Sequence, residues 1–313
     1  MKTCLIVQPI HRAGLDLLRR NGIRPVACPS ADMATVAAML PGCDAAITRD
    51  AGLTAPAFAA ADRLKVVVIH GTGHDSVDKR AAAMKRVLVA NTPGVNARSV
   101  AELALGLAIA VARGIAPADR STRAGLAGFR ESMGFMELSG KAALIVGWGA
   151  IGRDLGRMLD RALGMRVLVH SPRAPETGGY ARVSLAEGLA QADLISLHTP
   201  MRPESRHLIG AEALAQVRPG AILVNVARAG LVDEDALDRA LAEGRLAGAG
   251  LDVYSDAAPL GPLARHPNVI FTPHLGATTE DALRRVAEAA AGHVVTALQG
   301  GLPATTLNPE VLT

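Results

Sequence analysis

The sequence predicts an α/β protein of two doubly wound parallel-sheet domains, on three observations. Short β-type runs alternate with alanine-rich helical stretches in two separate series, glycine and proline mark the turns between them, and a glycine-rich loop follows the first strand of the second series. In the first series the runs fall at residues 4–7, 45–47, 65–69 and 87–89, with Gly22, Pro25, Pro41, Gly42 and Gly71-Thr72-Gly73 in the connections. The second opens at 142–146 and continues at 166–169, 193–197, 221–226 and 269–271. Segment 113–140, rich in Gly, Ser and Arg and without a clear period, reads as a connecting arm. The last apolar-periodic segment, 282–298, stops at Gly300-Gly301 and Pro303 and is expected to pack back on the first domain.

Length and composition agree with two domains. A chain of 313 residues holds two at roughly 150 residues each. Half of it is apolar but only 2% aromatic, so the core is built from Ala, Val, Leu and Ile, and stacking platforms for nucleic acid are scarce. The net charge of +4 comes from arginines dispersed among acids rather than from a basic block, which argues against nucleic acid and suits a small anion or a phosphorylated cofactor. Cys4, Cys28 and Cys43 are odd in number and lack metal-ligand spacing, so they read as reduced thiols of a cytoplasmic protein without a metal site. The apolar run at 5–7 meets Pro9, His11 and Arg12 and is a first strand, not a signal-peptide core. Segment 100–111 falls short of the ~20 residues of a membrane span, so it is expected as a buried helix with no membrane partner.

The loop Gly147-Trp148-Gly149-Ala150-Ile151-Gly152 sits between an apolar strand and a segment with Ile151, Leu155, Met158, Leu159 and Ala162 on one helical face. That context makes it a dinucleotide fingerprint: the first glycine allows the tight turn, the second lets backbone approach the pyrophosphate, and the third packs helix on strand. The first amides of the helix would then face the phosphates. An acid binding the ribose hydroxyls of NAD belongs about 20 residues on, at the end of the next strand. Here that strand ends in His170-Ser171-Pro172-Arg173, where a hydroxyl and a guanidinium suit a 2′-phosphate, so the sequence favours NADP over NAD.

Three further segments place polar groups at strand ends: Asn225-Val226-Ala227-Arg228-Ala229-Gly230, Gly250-Leu251-Asp252-Val253-Tyr254 and Thr272-Pro273-His274-Leu275-Gly276. Together with His70-Gly71-Thr72-Gly73, Asp75, Val77-Asp78, Asn91-Thr92-Pro93-Gly94-Val95-Asn96, Ser99-Val100-Ala101-Glu102, His198-Thr199-Pro200 and the run from Arg228 to Glu234, they cover nearly the whole chain. In these motifs the sequence resembles the D-2-hydroxyacid dehydrogenase family, which includes phosphoglycerate dehydrogenases and glyoxylate/hydroxypyruvate reductases.

The resemblance implies a flavodoxin-like substrate domain over 1–95 with 284–313 and a Rossmann dinucleotide-binding domain over 96–283. It implies an NAD(P)-dependent enzyme that interconverts a small 2-oxo acid and its D-2-hydroxy acid, as a homodimer through the Rossmann domains. Arg228 would grip the carboxylate and polarise the carbonyl. His274 would be the general acid and base. Asp252 would hold the nicotinamide carboxamide, with Thr199 and Pro200 beside the cofactor. Thr72 and Gly73 would receive the substrate carboxylate across the interdomain cleft, and Arg49 would reach the distal end. The resemblance also calls for a glutamate five residues after Asp252, paired with the histidine, where this sequence has Ala257. Such an acid fixes the tautomer and favours the charged ring. Asp256 is the nearest carboxylate; either it reaches His274 through an altered loop and takes the catalytic place, or the histidine works alone, with a lower pH optimum for reduction and slower turnover. Two other readings stand beside this one: a dinucleotide-sensing corepressor-like protein with little catalysis, and a formate- or phosphite-type dehydrogenase.

Overall fold

The computed structural model describes residues 1–132 and 134–312. The chain divides into two compact units, Met1–Asn96 with Ala277–Thr313, and Ala97–Gly276. The return to the first unit begins at Ala277, ahead of the helix Glu280–Leu298, where the sequence reading put the border at 284; the helix stays whole within one unit.

In the first unit β1 (Lys2–Ile6), α1 (Arg12–Arg20), β2 (Ile23–Ala27), α2 (Met33–Met39), β3 (Ala45–Thr48), α3 (Ala55–Ala60), β4 (Val66–Ile69), α4 (Lys79–Met84) and β5 (Leu88–Ala90) alternate. The five strands are parallel, in the order β2-β1-β3-β4-β5. This is the flavodoxin-like order. Strands β3 and β4 are buried along their whole length, which explains their unbroken apolar sequence. Strand β2 escaped the sequence reading because it lies at the sheet edge, half exposed, and holds Pro25 opposite Cys4. An edge strand tolerates the missing amide hydrogen.

The second unit opens with α5 (Ala97–Ala112), α6 (Ile115–Arg123) and α7 (Phe129–Ser132). It continues with β6 (Ala142–Val146), α8 (Ala150–Leu163), β7 (Arg166–His170), β8 (Ala181–Arg182), α9 (Leu185–Gln191), β9 (Leu194–Leu197) and α10 (Ala211–Ala215). The last elements are β10 (Ala221–Asn225), α11 (Glu234–Ala242), β11 (Leu246–Leu251) and β12 (Val269–Phe271). All seven strands are parallel, in the order β12-β11-β10-β9-β6-β7-β8. Counted from β6, that is the Rossmann order with one strand added beyond the sixth.

Helix α5, expected to be buried, is buried along one face only, with Arg98, Glu102, Gly106 and Ile109 exposed, and that buried face dictates the sequence of the strand beneath it. A Cβ at Gly250 would stand 2.9 Å from the Leu107 Cβ, and one at Gly248 would stand 2.8 Å from Val111 Cγ1. Strand β11 therefore reads as alternating glycine and small residues rather than as a hydrophobic run. Among the described residues no single helix is long and apolar enough to cross a membrane.

The final helix, α12 (Glu280–Leu298), returns to the first unit, where it packs on α1, β3 and β4. Its contact with α1 is close enough that a Cβ on Gly14 would meet the Ala287 carbonyl oxygen at 2.7 Å. Buried Ala290, Ala291 and Val294 of the helix join Cys4, Ile47, Val66 and Val68 in one core. The expectation that 282–298 packs back on the first domain is met in these contacts.

Candidate functional site

The glycine turn after β6 shows in its sterics what each glycine is for. Gly147 has φ +102, and a Cβ there would lie 2.6 Å from the carbonyl carbon of His198. The close approach comes from His198 N–H donating to Val146 O at 2.7 Å, which draws the loop after β9, with Thr199 and Pro200, alongside the turn. Gly152 is the packing glycine: its Cβ would fall 2.1 Å from Gly147 O. Gly149 is different, because a Cβ there meets nothing within 4 Å. It caps α8 with backbone alone, no side chain bonding to the first amides. Gly149 and Ala150 are exposed, and Ile151 is half-buried behind them. A bare helix N-terminus under open space fits the pyrophosphate of a dinucleotide in charge and in room.

At the end of β7 a recess of about 370 Å³ is lined by His170, Ser171, Pro172, Arg182, Val183, Ser184 and Glu187. Ser171 is in it; Arg173 is exposed and pairs with the exposed Glu204, Nη2 to Oε1 at 2.7 Å. The sequence reading missed Arg182. Its guanidinium donates to Ser171 O at 3.1 Å and Ala174 O at 2.7 Å, so it braces the loop on which Ser171 and Arg173 sit. Nothing local marked it, since it arrives on the short edge strand β8. The Glu187 carboxylate is engaged by Ser184, whose N–H and hydroxyl donate to it at 2.8 and 2.7 Å, and those bonds hold its pKa below the ordinary value.

Strands β10, β11 and β12 are neighbours and each ends in a candidate residue. Asn225, buried at the end of β10, donates from Nδ2 to Arg228 O at 2.9 Å and accepts at Oδ1 from Ala227 N–H at 3.1 Å, which shapes the turn carrying Arg228. The Arg228 guanidinium donates from Nη1 to Ala227 O at 2.7 Å. After β11, Asp252 is 1% exposed. Its Oδ1 accepts from Thr272 Oγ1 at 2.6 Å and Leu275 N–H at 2.7 Å, and its Oδ2 from Gly276 N–H at 2.9 Å. The carboxylate thus clamps the loop after β12 on both sides of His274. That residue has φ +55, an uncommon conformation for a side chain with a Cβ, and its N–H donates to Thr272 O and Asp252 O at 2.8 and 3.2 Å. The clamp was not legible in sequence because its partners lie twenty or more residues apart on different strands.

Asp256 does not join them. Among the described residues the histidine ion pairs are those of His11 with Glu280 and His266 with Asp238, and His274 forms none. Asp256 is exposed, and its neighbour Ser255 is tied to α11 by Glu234, which accepts from Ser255 N–H at 2.7 Å and Oγ at 2.5 Å. Among the described residues no ion pair joins Asp256 to His274.

In the first unit the candidates also lie past strand ends. Val7 N–H bonds to Ile47 O, and Thr48 stands opposite Ile69, so Gln8, Arg49 and His70 form a row beyond β1, β3 and β4. The Gln8 Oε1 accepts from Arg49 N–H and Ala51 N–H at 3.1 and 3.0 Å, and Arg49 Nη1 donates to Pro9 O at 3.2 Å. Thr72 and Gly73 follow His70 in a loop held from below: Asn91 Nδ2 donates to Thr72 O at 2.7 Å, and Gly71 N–H donates to Thr92 Oγ1 at 2.9 Å. The motif at 91–96 therefore acts as a support for the loop at 70–73.

Comparison with known proteins agrees with the two-sheet fold. The family model for the D-isomer specific 2-hydroxyacid dehydrogenase NAD binding domain matches residues 105–276. A D-3-phosphoglycerate dehydrogenase from Pongo abelii is 38% identical over 100% of this chain, and the chain spans 60% of that relative's length. A hydroxypyruvate reductase from Thermotoga maritima is 35% identical, over 89% of this chain and 92% of its own. The crystal structure of the TT0316 protein from Thermus thermophilus superposes with a TM-score of 0.90 at 34% identity, covering 97% of this chain and 99% of that one.

Proposed function

We propose that this chain, which belongs to the D-isomer specific 2-hydroxyacid dehydrogenase family, interconverts a small 2-oxo acid and its D-2-hydroxy acid with a nicotinamide dinucleotide. The observation that carries the reading is the alignment of candidate groups along one sheet edge. Gly147, Thr199, Arg228, Asp252 and His274 follow the adjacent strands β6, β9, β10, β11 and β12 at their carboxyl ends. In open parallel sheets that edge, at the point where strand order reverses, is where ligands bind; here the reversal lies between β6 and β9.

The backbone amides at Gly149, Ala150, Ile151 and Gly152 hold the pyrophosphate, and Thr199 and Pro200 border the cofactor. When bound, the nicotinamide supplies or accepts the hydride. Arg228 takes the substrate carboxylate with its planar fork and draws charge from the neighbouring carbonyl. His274 gives a proton to the oxygen in reduction and removes it in oxidation, without a carboxylate partner. Asp252 keeps that histidine in place through its grip on 272–276, beside its assigned role toward the carboxamide. On the other unit, Thr72 and Gly73 receive the carboxylate and Arg49 faces the far end of the substrate.

The cofactor is NADP in preference to NAD, because the end of β7 carries Ser171 and Arg173 where a ribose-binding acid would stand. The protein's partners are small acids, not nucleic acid or membrane, and it works in the cytoplasm as a homodimer. Exposed Ile115, Leu126 and Phe135 on the arm at 113–140 support the dimer. Initial rates of NADPH and NADH oxidation with glyoxylate, hydroxypyruvate, pyruvate and 3-phosphohydroxypyruvate test the reading. NADPH-linked turnover is expected, with Arg173→Ala raising KM for NADPH more than for NADH. Tight cofactor binding without turnover on any of the acids would replace the enzyme by a dinucleotide sensor.

A further inference from the structure

We infer that Tyr180 is a positioning residue for the dinucleotide: it locks the loop at 171–180 onto the glycine turn, so that the surfaces for the adenosine end and the pyrophosphate are preformed as one. The inference rests on the dinucleotide reading above and lies wholly within the second unit. It starts from the residue between the first two glycines of the turn. Trp148 is the chain's single tryptophan, and it is 5% exposed although the adjoining Gly149 and Ala150 are open to solvent. Its ring lies on α8 at Gly156, where a Cβ would stand 2.7 Å from Trp148 Cη2. The missing side chain at 156 is what lets the turn seat its tryptophan on the helix.

Tyr180 meets the same ring edge-to-face, with centroids 5.4 Å apart and planes at 71°. Its hydroxyl donates to Asp160 Oδ2 on α8 at 3.0 Å. Burial, and then that bond, push the phenol above its ordinary pKa, so it keeps its proton and remains a donor. Tyr180 is thus held to the turn by its ring and to the helix by its tip.

The loop needs such an anchor. Between β7 and β8, Pro172, Arg173, Pro175, Glu176, Gly178 and Gly179 are exposed, and the two glycines have φ +65 and +88 immediately before Tyr180. Ala174 and Tyr180 pack against the core that holds Trp148, Leu155 and Val169. Two residues past Tyr180, Arg182 lines the recess with Ser171 and Pro172, and it donates to Ser171 O and Ala174 O. Fixing Tyr180 therefore fixes the wall of that recess from both of its ends. In a dinucleotide-binding sheet the end of this strand is where the adenosine ribose is recognised. A loop already held in place spares the ordering cost that binding would otherwise bear.

Titrations with ADP-ribose, which carries the adenosine end and the pyrophosphate, and with nicotinamide mononucleotide, which lacks the adenosine end, test this on wild type, Tyr180→Leu and Tyr180→Phe. Tyr180→Leu keeps an apolar side chain against the core but loses the ring and the hydroxyl, and it is expected to raise the ADP-ribose Kd ~10-fold. Tyr180→Phe, which retains the ring against Trp148, should recover most of that affinity, and both variants should leave the mononucleotide Kd unmoved. An unchanged ADP-ribose Kd in Tyr180→Leu, or an equal loss for the two ligands, overturns the inference and leaves the dinucleotide reading standing. Amide hydrogen exchange on wild type needs no variant: the Ala174 and Tyr180 amides, bonded to Ser171 O and Thr177 O, should exchange slowly before any ligand is added. Exchange there at the rate of an unstructured chain until ADP-ribose binds would show that the ligand, not Tyr180, orders the loop, and overturns it equally. A wild type that binds neither ADP-ribose nor NADPH and NADH removes the dinucleotide reading itself.

Discussion

The first strand-to-helix turn of each sheet occupies the same topological place, and the two turns treat the helix they feed in opposite ways. After β1, the His11 ring accepts from Ala13 N–H at 3.2 Å through Nδ1 and meets Glu280 at 2.8 Å through Nε2, so α1 is capped by a side chain. One turn further on, Gly14 lies hard against Ala287. After β6, α8 starts on Gly149 with no side-chain cap and open space above the missing Cβ. Both helices present the same dipole and the same unpaired amides. Only one leaves them for a ligand. Parallel α/β architecture, present twice here, does not say which sheet binds the dinucleotide; the cap does.

The sharpest way to break this comparison is at the chemistry it assigns to the second sheet. His274→Ala should lower kcat by roughly 10²–10⁴ if the ring is the proton donor, with cofactor affinity kept. Unchanged turnover would remove His274 from the mechanism and leave the second sheet with a binding role alone.

Exchanging the two caps sharpens it. Gly149→Val adds atoms only to open space, so the thermal midpoint should hold while the dinucleotide Kd, read by fluorescence titration, rises about 10-fold or more, a loss of about 1.4 kcal/mol or above. His11→Ala should do the reverse, losing about 0.5–2 kcal/mol of stability with the cofactor Kd unmoved. Were Gly149→Val to bind as wild type does, the bare helix end would not be the phosphate site.

The smallest effect concerns what the two units share. His70 in the first unit and His198 in the second are imidazoles that burial drives down to about 4 and about 3 from 6.5. Their folded pKa values lie below the unfolded one, so the stability they contribute is present above pH 6.5 and is lost as pH falls toward the folded values. Each adds a slope of at most about 1.4 kcal/mol per pH unit in that window. Urea midpoints measured between pH 7.5 and 5 should therefore decline, and His70→Gln should flatten the curve. A flat wild-type profile would mean that neither ring is neutral by burial.

Much of this was legible before any coordinate. Strands β3, β4, β6 and β9 are buried throughout, so their apolar runs announce them; the glycines at 147, 149 and 152 sit in a strand–turn–helix context that few other purposes require. The strands that hid did so for physical causes. Edge strand β2 carries a proline, and β11 gives up side chains to make room for α5.

The sequence by itself determined the two parallel sheets, the dinucleotide turn and the presence of Arg228 and His274 at strand ends, because periodicity and local turn chemistry are short-range properties. Tertiary structure alone decided the rest. It set Asp252 against residues 272–276, braced the Ser171 loop with Arg182, tied Ser255 beside the exposed Asp256 to Glu234, and buried His70 Nε2 without a partner. Each of these depends on groups distant in the chain coming within hydrogen-bond reach, or failing to, and that distance is fixed by how strands and helices pack, which no local pattern records.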